Sequence, residues 1–338
     1  MKELIRELTS CYGVSGDEGK ITALLKDRLS EYGRVYTDAM NNVKCAIPGT
    51  GPKILLNAHI DQIGFIVLGI DDDGFIKVAK SGGIDRRALL SRTVTIWGKH
   101  PLTGVISCQP PHLLNHDAYK KAPDISDISI DVGLTKEEVQ TLVSPGDRAT
   151  LQYQYHELLG SRISASYMDD RSGVASILRC LELIKKSGAK PNLLIAFSAQ
   201  EEVGTRGGRV LAFDEAVDEA IAVDVSFAMT PDSDAYRCGE LGKGPMIGVS
   251  PVLCRDIYSA LQKIADEAQI PFQLEVMGGE TGTDADVISV TGAGIKMGLL
   301  SIPLRYMHTP VETADINDIE NTAELLSRYV IGKAGEKV

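Results

Sequence analysis

Aromatic residues make up only 5% of this 338-residue chain, and Trp97 is its one tryptophan. A glycosidase needs two carboxylates and no metal, and usually carries aromatic platforms for sugar rings, so this scarcity counts against one. Cysteine is sparse as well. The six thiols, Cys11, Cys45, Cys108, Cys180, Cys238 and Cys254, lie far apart and form no Cys-x-x-Cys pair. They read as reduced core thiols, which argues against a thiolate metal site, a redox pair or a disulfide framework. Positive charge is in deficit: 35 Lys and Arg against 46 Asp and Glu leave a net charge of -11, the wrong sign for a nucleic-acid partner. No apolar run is long enough to span a bilayer. Met1 to Leu8 reads as the start of an amphipathic helix of mixed charge, not as a secretory leader. The expectation is a cytoplasmic protein with neither membrane nor nucleic acid among its partners.

What is present is an ordinary globular composition, 43% hydrophobic and 24% charged, in a chain long enough for a large core. From Glu18 to Tyr32 the apolar spacing is helical, and Val35 to Thr37 with Val43 to Ile47 around Asn41-Asn42 predicts a hairpin. Ile54 to His59 begins a buried strand. From Asp170 onward helices and strands alternate, which implies a mostly parallel sheet flanked by helices, an α/β fold. Between them the character changes. Short strand-like runs separated by Gly, Pro and Asp turns, with one helical stretch at Lys136 to Val143, predict a small β-barrel or sandwich. The expected organisation is therefore an α/β domain formed by 1–63 and 163–338, with a β-rich, barrel-like domain inserted at 64–162.

Five segments deliver His, Asp or Glu beside predicted strand ends or a helix start: Ala58-His59-Ile60-Asp61, Met168-Asp169-Asp170, Gln200-Glu201-Glu202, Val223-Asp224 and Met307-His308. A hydrolytic divalent-metal site needs hard oxygen and imidazole ligands and a nearby carboxylate to take a proton from water. In a strand, residues two apart face the same side, so His59 and Asp61 project together, with Asp61 placed to bond the second ring nitrogen or a neighbouring group. Glu201 and Glu202 repel each other, and a cation held by one while the other stays free as a base would relieve that. Asp169 and Asp170 open a helix. One can cap it, which leaves the other free to bridge two ions. Arg171 is placed to pair with Asp170.

Asn57 to Phe65, Met168 to Gly173, Gln200 to Gly207, Gly282-Thr283-Asp284-Ala285 and Arg305 to Pro310 together resemble the M42 family of metallo-aminopeptidases, which includes the glutamyl aminopeptidases and the tetrahedral TET peptidases. The resemblance runs in family order from about residue 1 to residue 330. It implies the binuclear metallopeptidase fold and an aminopeptidase holding two divalent ions, Zn or Co, and acting on short peptides. By matching positions it makes His59, Asp169, Glu202, Asp224 and His308 the metal ligands, with Asp169 the bridge. Glu201 becomes the general base, and Asp61 the residue that orients His59.

Two departures from the family pattern stand out. Gln62 replaces a Glu common in relatives, and Val225 to Asp234 lacks an Asp-Thr-Pro-Gly run, which bears on substrate preference. Related binuclear enzymes that cut C-terminal residues or acyl groups are the closest rivals. The β-rich insertion between His59 and Asp169 favours the aminopeptidase. The family also implies homo-oligomers, from dimers to dodecamers. Trp97 and Pro110-Pro111-His112-Leu113-Leu114 in the insertion are apolar groups for either a subunit contact or the barrel interior.

Overall fold

Two kinds of strand are written into this chain, and they build two large sheets, with a small third one beside them. The computed structural model describes residues 1–113, 121–231 and 233–335; Leu114 and Asp232 lie outside them. After helices α1 (Lys2–Ser10) and α2 (Gly19–Leu29) come the hairpin β1 (Arg34–Thr37) and β2 (Val43–Ile47), then β3 (Thr50–His59). Next are the barrel strands β4 (Gly64–Ile70), β5 (Ile76–Ser81), β6 (Thr93–Trp97), β7 (Pro101–Ser107), β8 (Ser129–Asp131) and β9 (Arg148–Leu151), with α3 (Lys136–Leu142) between the last two. The chain then forms β10 (Tyr155–Glu157), β11 (Arg162–Ala165), α4 (Met168–Ser187), β12 (Pro191–Ser198), α5 (Arg206–Leu211) and β13 (Glu219–Phe227). It ends with β14 (Met246–Val249), α6 (Arg255–Ala268), β15 (Gln273–Val276), α7 (Asp284–Ile288), β16 (Lys296–Leu304), β17 (Glu312–Asp315) and α8 (Ile316–Lys333).

The main sheet has eight strands in the order β1-β2-β12-β3-β13-β16-β14-β15. Its four central strands, β12, β3, β13 and β16, are parallel. Side chains alternate across such strands, and here both faces are covered, so the middle stretches of the strands are mostly apolar on both faces. Ile54, Leu56, Leu193, Ile195, Phe197, Ile221 and Val223 join one core with Val174, Ile177 and Leu181 of α4 and with Leu325, Leu326 and Tyr329 of α8. The intervening Leu55, Leu194, Ala196, Ala220 and Ala222 face the other way, against Leu211 of α5 and Ile288 of α7. Each large side chain fully buried in this way contributes about 1.5–3 kcal/mol. Helix α4 stops at Gly188, whose φ of 75° is the left-handed conformation that ends helices.

The second sheet is a closed barrel of six strands, β4-β5-β8-β7-β6-β9. It has its own core of Phe65, Val67, Ile76, Val78, Val94, Ile96, Ile106, Ile130, Ala149 and Leu151, with Val139 of α3 packed on it. Closure removes the unpaired strand edges that so short a sheet would otherwise expose. The mixed α/β class with a barrel is thus as expected. Strands β8 and β14 carry no sequence signal because three or four residues are too few to show alternation. A separate three-stranded sheet, β10-β11-β17, links the chain just after the barrel to the segment just before α8.

Trp97 is half-buried and is not part of the barrel's own core. Its Nε1 donates to Thr150 Oγ1 at 3.0 Å, its ring centroid lies 4.4 Å from that of Tyr12, and Lys20 Nζ sits 4.5 Å above it. The N-terminal segment of its own chain covers the ring in part. Leu113 is exposed.

Candidate metal centre

The parallel strands all end at one side of the main sheet, where ligands bind in open α/β folds. In register, Ser198 of β12 lies beside His59 of β3, so the turn after β12 brings Glu201 and Glu202 next to the end of β3. Gln200 takes a φ of 58° to make that turn. Asp224 sits in β13 opposite Ser301 of β16. Beyond β16, a loop with positive φ at Tyr306 and His308 returns the chain to the same place. The start of α4 supplies Asp169.

Asp169 stands between two imidazoles. Its Oδ1 is 3.0 Å from His59 Nε2 and its Oδ2 is 3.1 Å from His308 Nε2. His59 Nε2 is also 4.0 Å from Asp224 Oδ1, and His308 Nε2 is 3.4 Å from Glu202 Oε1. One donor atom each from His59, Asp169 and Glu202 falls within a single 4.8 Å cluster. These residues, with Glu201, line a cavity of about 630 Å³ whose other walls include Phe227, Thr281, Thr283, Val287 and Met307. The structure therefore brings together six of the seven residues singled out in the sequence around one space.

The seventh, Asp61, is fully buried behind it. His59 Nδ1 meets the main-chain oxygen of Asp61 at 3.1 Å, whereas the nearer carboxylate oxygen is 3.6 Å away. The carboxylate is committed elsewhere: it accepts from Glu201 N at 2.8 Å, Glu202 N at 3.2 Å and Ser15 Oγ at 2.6 Å. Asp61 thus fixes the Glu201-Glu202 turn through its side chain and the His59 ring through its backbone.

Asp170 caps α4 by accepting from Gly173 N at 2.9 Å, so Asp169 is the carboxylate left to face the site. The expected Arg171–Asp170 pair does not form. Arg171 is completely buried and donates to Leu8 O at 2.8 Å, Cys11 O at 3.3 Å and Gln62 Oε1 at 3.3 Å. Carbonyls at the end of a helix lack intrahelical donors, and those at the end of α1 claim the guanidinium. Gln62 serves as one of its acceptors.

Two buried carboxylates escaped the sequence reading. Glu312, at the start of β17, accepts from Met168 N at 2.6 Å, Asp169 N at 3.1 Å and His308 N at 2.8 Å. Asp284, in the Gly282-Thr283-Asp284-Ala285 segment, accepts from Ser198 Oγ. Alternation marks neither residue, because each lies in or beside an element of five residues or fewer.

With the protein's own groups alone, the site is short of positive charge. Burial pushes Glu201 up to about 8, with His59 opposing and Asp284, Glu202 and Asp169 adding to the rise. Burial and the charge of Asp170 put Asp224 well above the usual carboxylate range. Glu202 is raised by burial although its bond to His308 resists. Burial opposes charge on both imidazoles, yet the hydrogen bond each donates to Asp169 carries His59 well above its ordinary value and His308 to about 11. Asp169 itself is held well below the carboxylate range by His308 and His59, despite its burial. Protons here stand where divalent cations would relieve the same repulsion, and hard oxygen with imidazole nitrogen is a donor set that Zn or Co accepts. The residues fit such ions.

Residues 41–325 match the model of a family described as M42 glutamyl aminopeptidase. The chain is 32% identical to the lysyl aminopeptidase of Pyrococcus furiosus over 332 residues, covering 96% of this chain and 94% of that one. Among solved structures, an aminopeptidase from the archaeon Desulfurococcus kamchatkensis superposes with a TM-score of 0.91 at 32% identity, over 100% of this chain and 98% of the other. A TET1 peptidase of Pyrococcus horikoshii, described as assembling into a tetrahedron or a large octahedral shell, gives a TM-score of 0.85 at 32% identity over 97% and 98% of the two chains.

Proposed function

This chain belongs to the M42 peptidase family and is an aminopeptidase, and from that membership we propose that it removes N-terminal residues from short peptides using two divalent ions, with Glu201 as general base. The observation that carries the two-ion reading is Asp169, whose two oxygens each point to a different imidazole at 3.0 and 3.1 Å. In this reading His59, Asp224 and Asp169 would hold one ion, and Glu202, His308 and Asp169 would hold the second. When bound, such ions supply Lewis acidity toward water and the scissile carbonyl and a docking point for the free amine of the first residue.

The chain's own groups do the rest. Asp61 holds the backbone of Glu201 by its N–H, which aims the carboxylate into the cavity while Glu202 turns toward His308. Glu201 takes a proton from water and passes it to the leaving amine. A base that rests near 8 among its own neighbours becomes ionised at neutral pH beside dications, and ligand imidazoles must lose their protons too. Activity from near-neutral to alkaline pH follows. The wall from Val225 to Phe227 and the loop Thr281 to Thr283 face the space where the first side chain would lie.

We further propose that 64–162 forms an inserted unit within a catalytic body of 1–63 and 163–338, supported by the closed barrel over Gly64 to Leu151. Native assembly is proposed to be a homo-oligomer, from dimer to dodecamer, by likeness to the TET relative. A cytoplasmic setting fits the six free cysteines. Among the described residues, no helix is long and apolar enough to cross a membrane. The test is a panel of aminoacyl chromogenic substrates with and without chelator. Hydrolysis of at least one, abolished by chelation and restored by Zn or Co, supports the proposal. Activity indifferent to chelation, or confined to substrates with a blocked amine, contradicts it.

A further inference from the structure

Two of the proposed ligands lie far apart in sequence: Asp169 at the kinked start of α4, where the backbone of Asp169 and Asp170 is not helical, and His308 on the loop after β16. Both spring from one rung of the small sheet, where Ala165 of β11 lies opposite Glu312 of β17. From that rung the chain runs forward through Tyr167, at a φ of 65°, to Met168 and Asp169, and backward through Pro310 to His308, at a φ of 63°. Ser166 Oγ donates to Pro310 O at 3.0 Å and ties the two arms at their base. Further out, Glu312 bridges them: Oε2 accepts from Met168 N and Asp169 N at 2.6 and 3.1 Å, and Oε1 accepts from His308 N at 2.8 Å. The side chain is 1% exposed. Its carboxylate meets three backbone donors, one oxygen serving each arm.

We infer that Glu312 is a positioning residue that sets the separation of Asp169 and His308 before any ion arrives. The inference rests on the metal-site reading but not on aminopeptidase activity. A carboxylate suits this task and an amide does not, because all three partners are donors. In Glu312→Gln one of the two acceptor oxygens becomes an NH₂ group, which faces a backbone N–H on one arm or the other. Charge-assisted bonds at that arm are lost, and the ligand it carries is free to drift. Changes to groups that orient metal ligands typically cost about 10- to 100-fold in metal affinity.

The first measurement uses the unaltered protein. Stripped of metal by chelator, it is followed by hydrogen exchange, and the amides of Met168, Asp169 and His308 are expected to exchange as slowly as those of β11. Rapid exchange there would show that the ion, not Glu312, draws the arms together, and would overturn the inference. The second measurement titrates Co(II) into Glu312→Gln. Affinity weaker by about 10- to 100-fold, with a changed visible Co(II) spectrum, is the expected result; wild-type affinity and spectrum would also overturn it. If the variant does not fold, the exchange experiment decides alone. Intact Co(II) binding with no hydrolysis of any peptide would sink the aminopeptidase reading while leaving this inference standing.

Discussion

Replacing Gly83 with alanine probes how far the barrel helps to hold His308. Gly83 follows β5 and lies against the His308 ring: a Cβ built there falls 2.6 Å from Nδ1 and 2.8 Å from Cε1. Comfortable contacts begin at roughly 3.5 Å, so the methyl overlaps the ring by close to an ångström. The ring has little room to yield. Its Nε2 faces Asp169 at 3.1 Å and Glu202 at 3.4 Å, and its backbone is fixed to Glu312. Overpacking of this kind costs about 1–3 kcal/mol. If the ring moves to relieve it, the loss falls on metal binding, about 5- to 150-fold. Metal-buffered titrations of Gly83→Ala against Gly69→Ala, a barrel position with nothing within 4 Å, measure the effect. The control should match the wild type. Metal affinity in Gly83→Ala indistinguishable from the control would refute the claim that this glycine makes room for His308.

Three further outcomes follow from the same geometry. Glu201→Gln keeps shape but removes the proton acceptor, so elemental analysis should find normal metal content while turnover drops by at least about a hundredfold; near-normal turnover would remove Glu201 from the role of base. Asp169→Ala should lower metal content to about one ion or fewer per chain, and two tightly held ions in that variant would redirect the bridge to another carboxylate such as Asp170. The metal-stripped protein should become less stable as pH rises. Glu201, raised from an ordinary 4.5 to about 8 chiefly by burial, keeps a proton in the folded state that the unfolded chain has released, so stability falls across that window. His308, raised from 6.5 to about 11, extends the fall, because the stabilisation present below 6.5 is lost as pH climbs through the folded value. Melting of chelated protein between pH 5 and 9 checks the sign, and a higher midpoint at pH 8 than at pH 5.5 would contradict it.

Much of the site was legible because strand ends announce themselves. Ile54 to Ala58 and Leu193 to Ala199 are apolar runs that must be buried, so the polar groups that end them, His59 and Glu201-Glu202, are set at a sheet edge by necessity. Choosing between Asp169 and Asp170 needed the family likeness, and the cap on Gly173 supplies the physical reason. Other features depended on neighbours that no local pattern reports. Arg171 looked like a partner for the adjacent Asp170, yet its bonds go to the end of a helix at the start of the chain. Glu312 looked like one more acidic residue in a turn-rich stretch. Its importance comes from the pairing of β17 with β11, a contact between distant segments. Trp97 read as an apolar group in search of a cover, and part of that cover comes from Tyr12 and Lys20.

Anomalous diffraction from crystals of the protein loaded with Zn or Co tests the two-ion account most directly. Two peaks per chain, about 3.5–4 Å apart, with Asp169 between them, His59 and Asp224 beside one and Glu202 and His308 beside the other, are the expected result. A single peak, or two peaks that do not share Asp169, would contradict it.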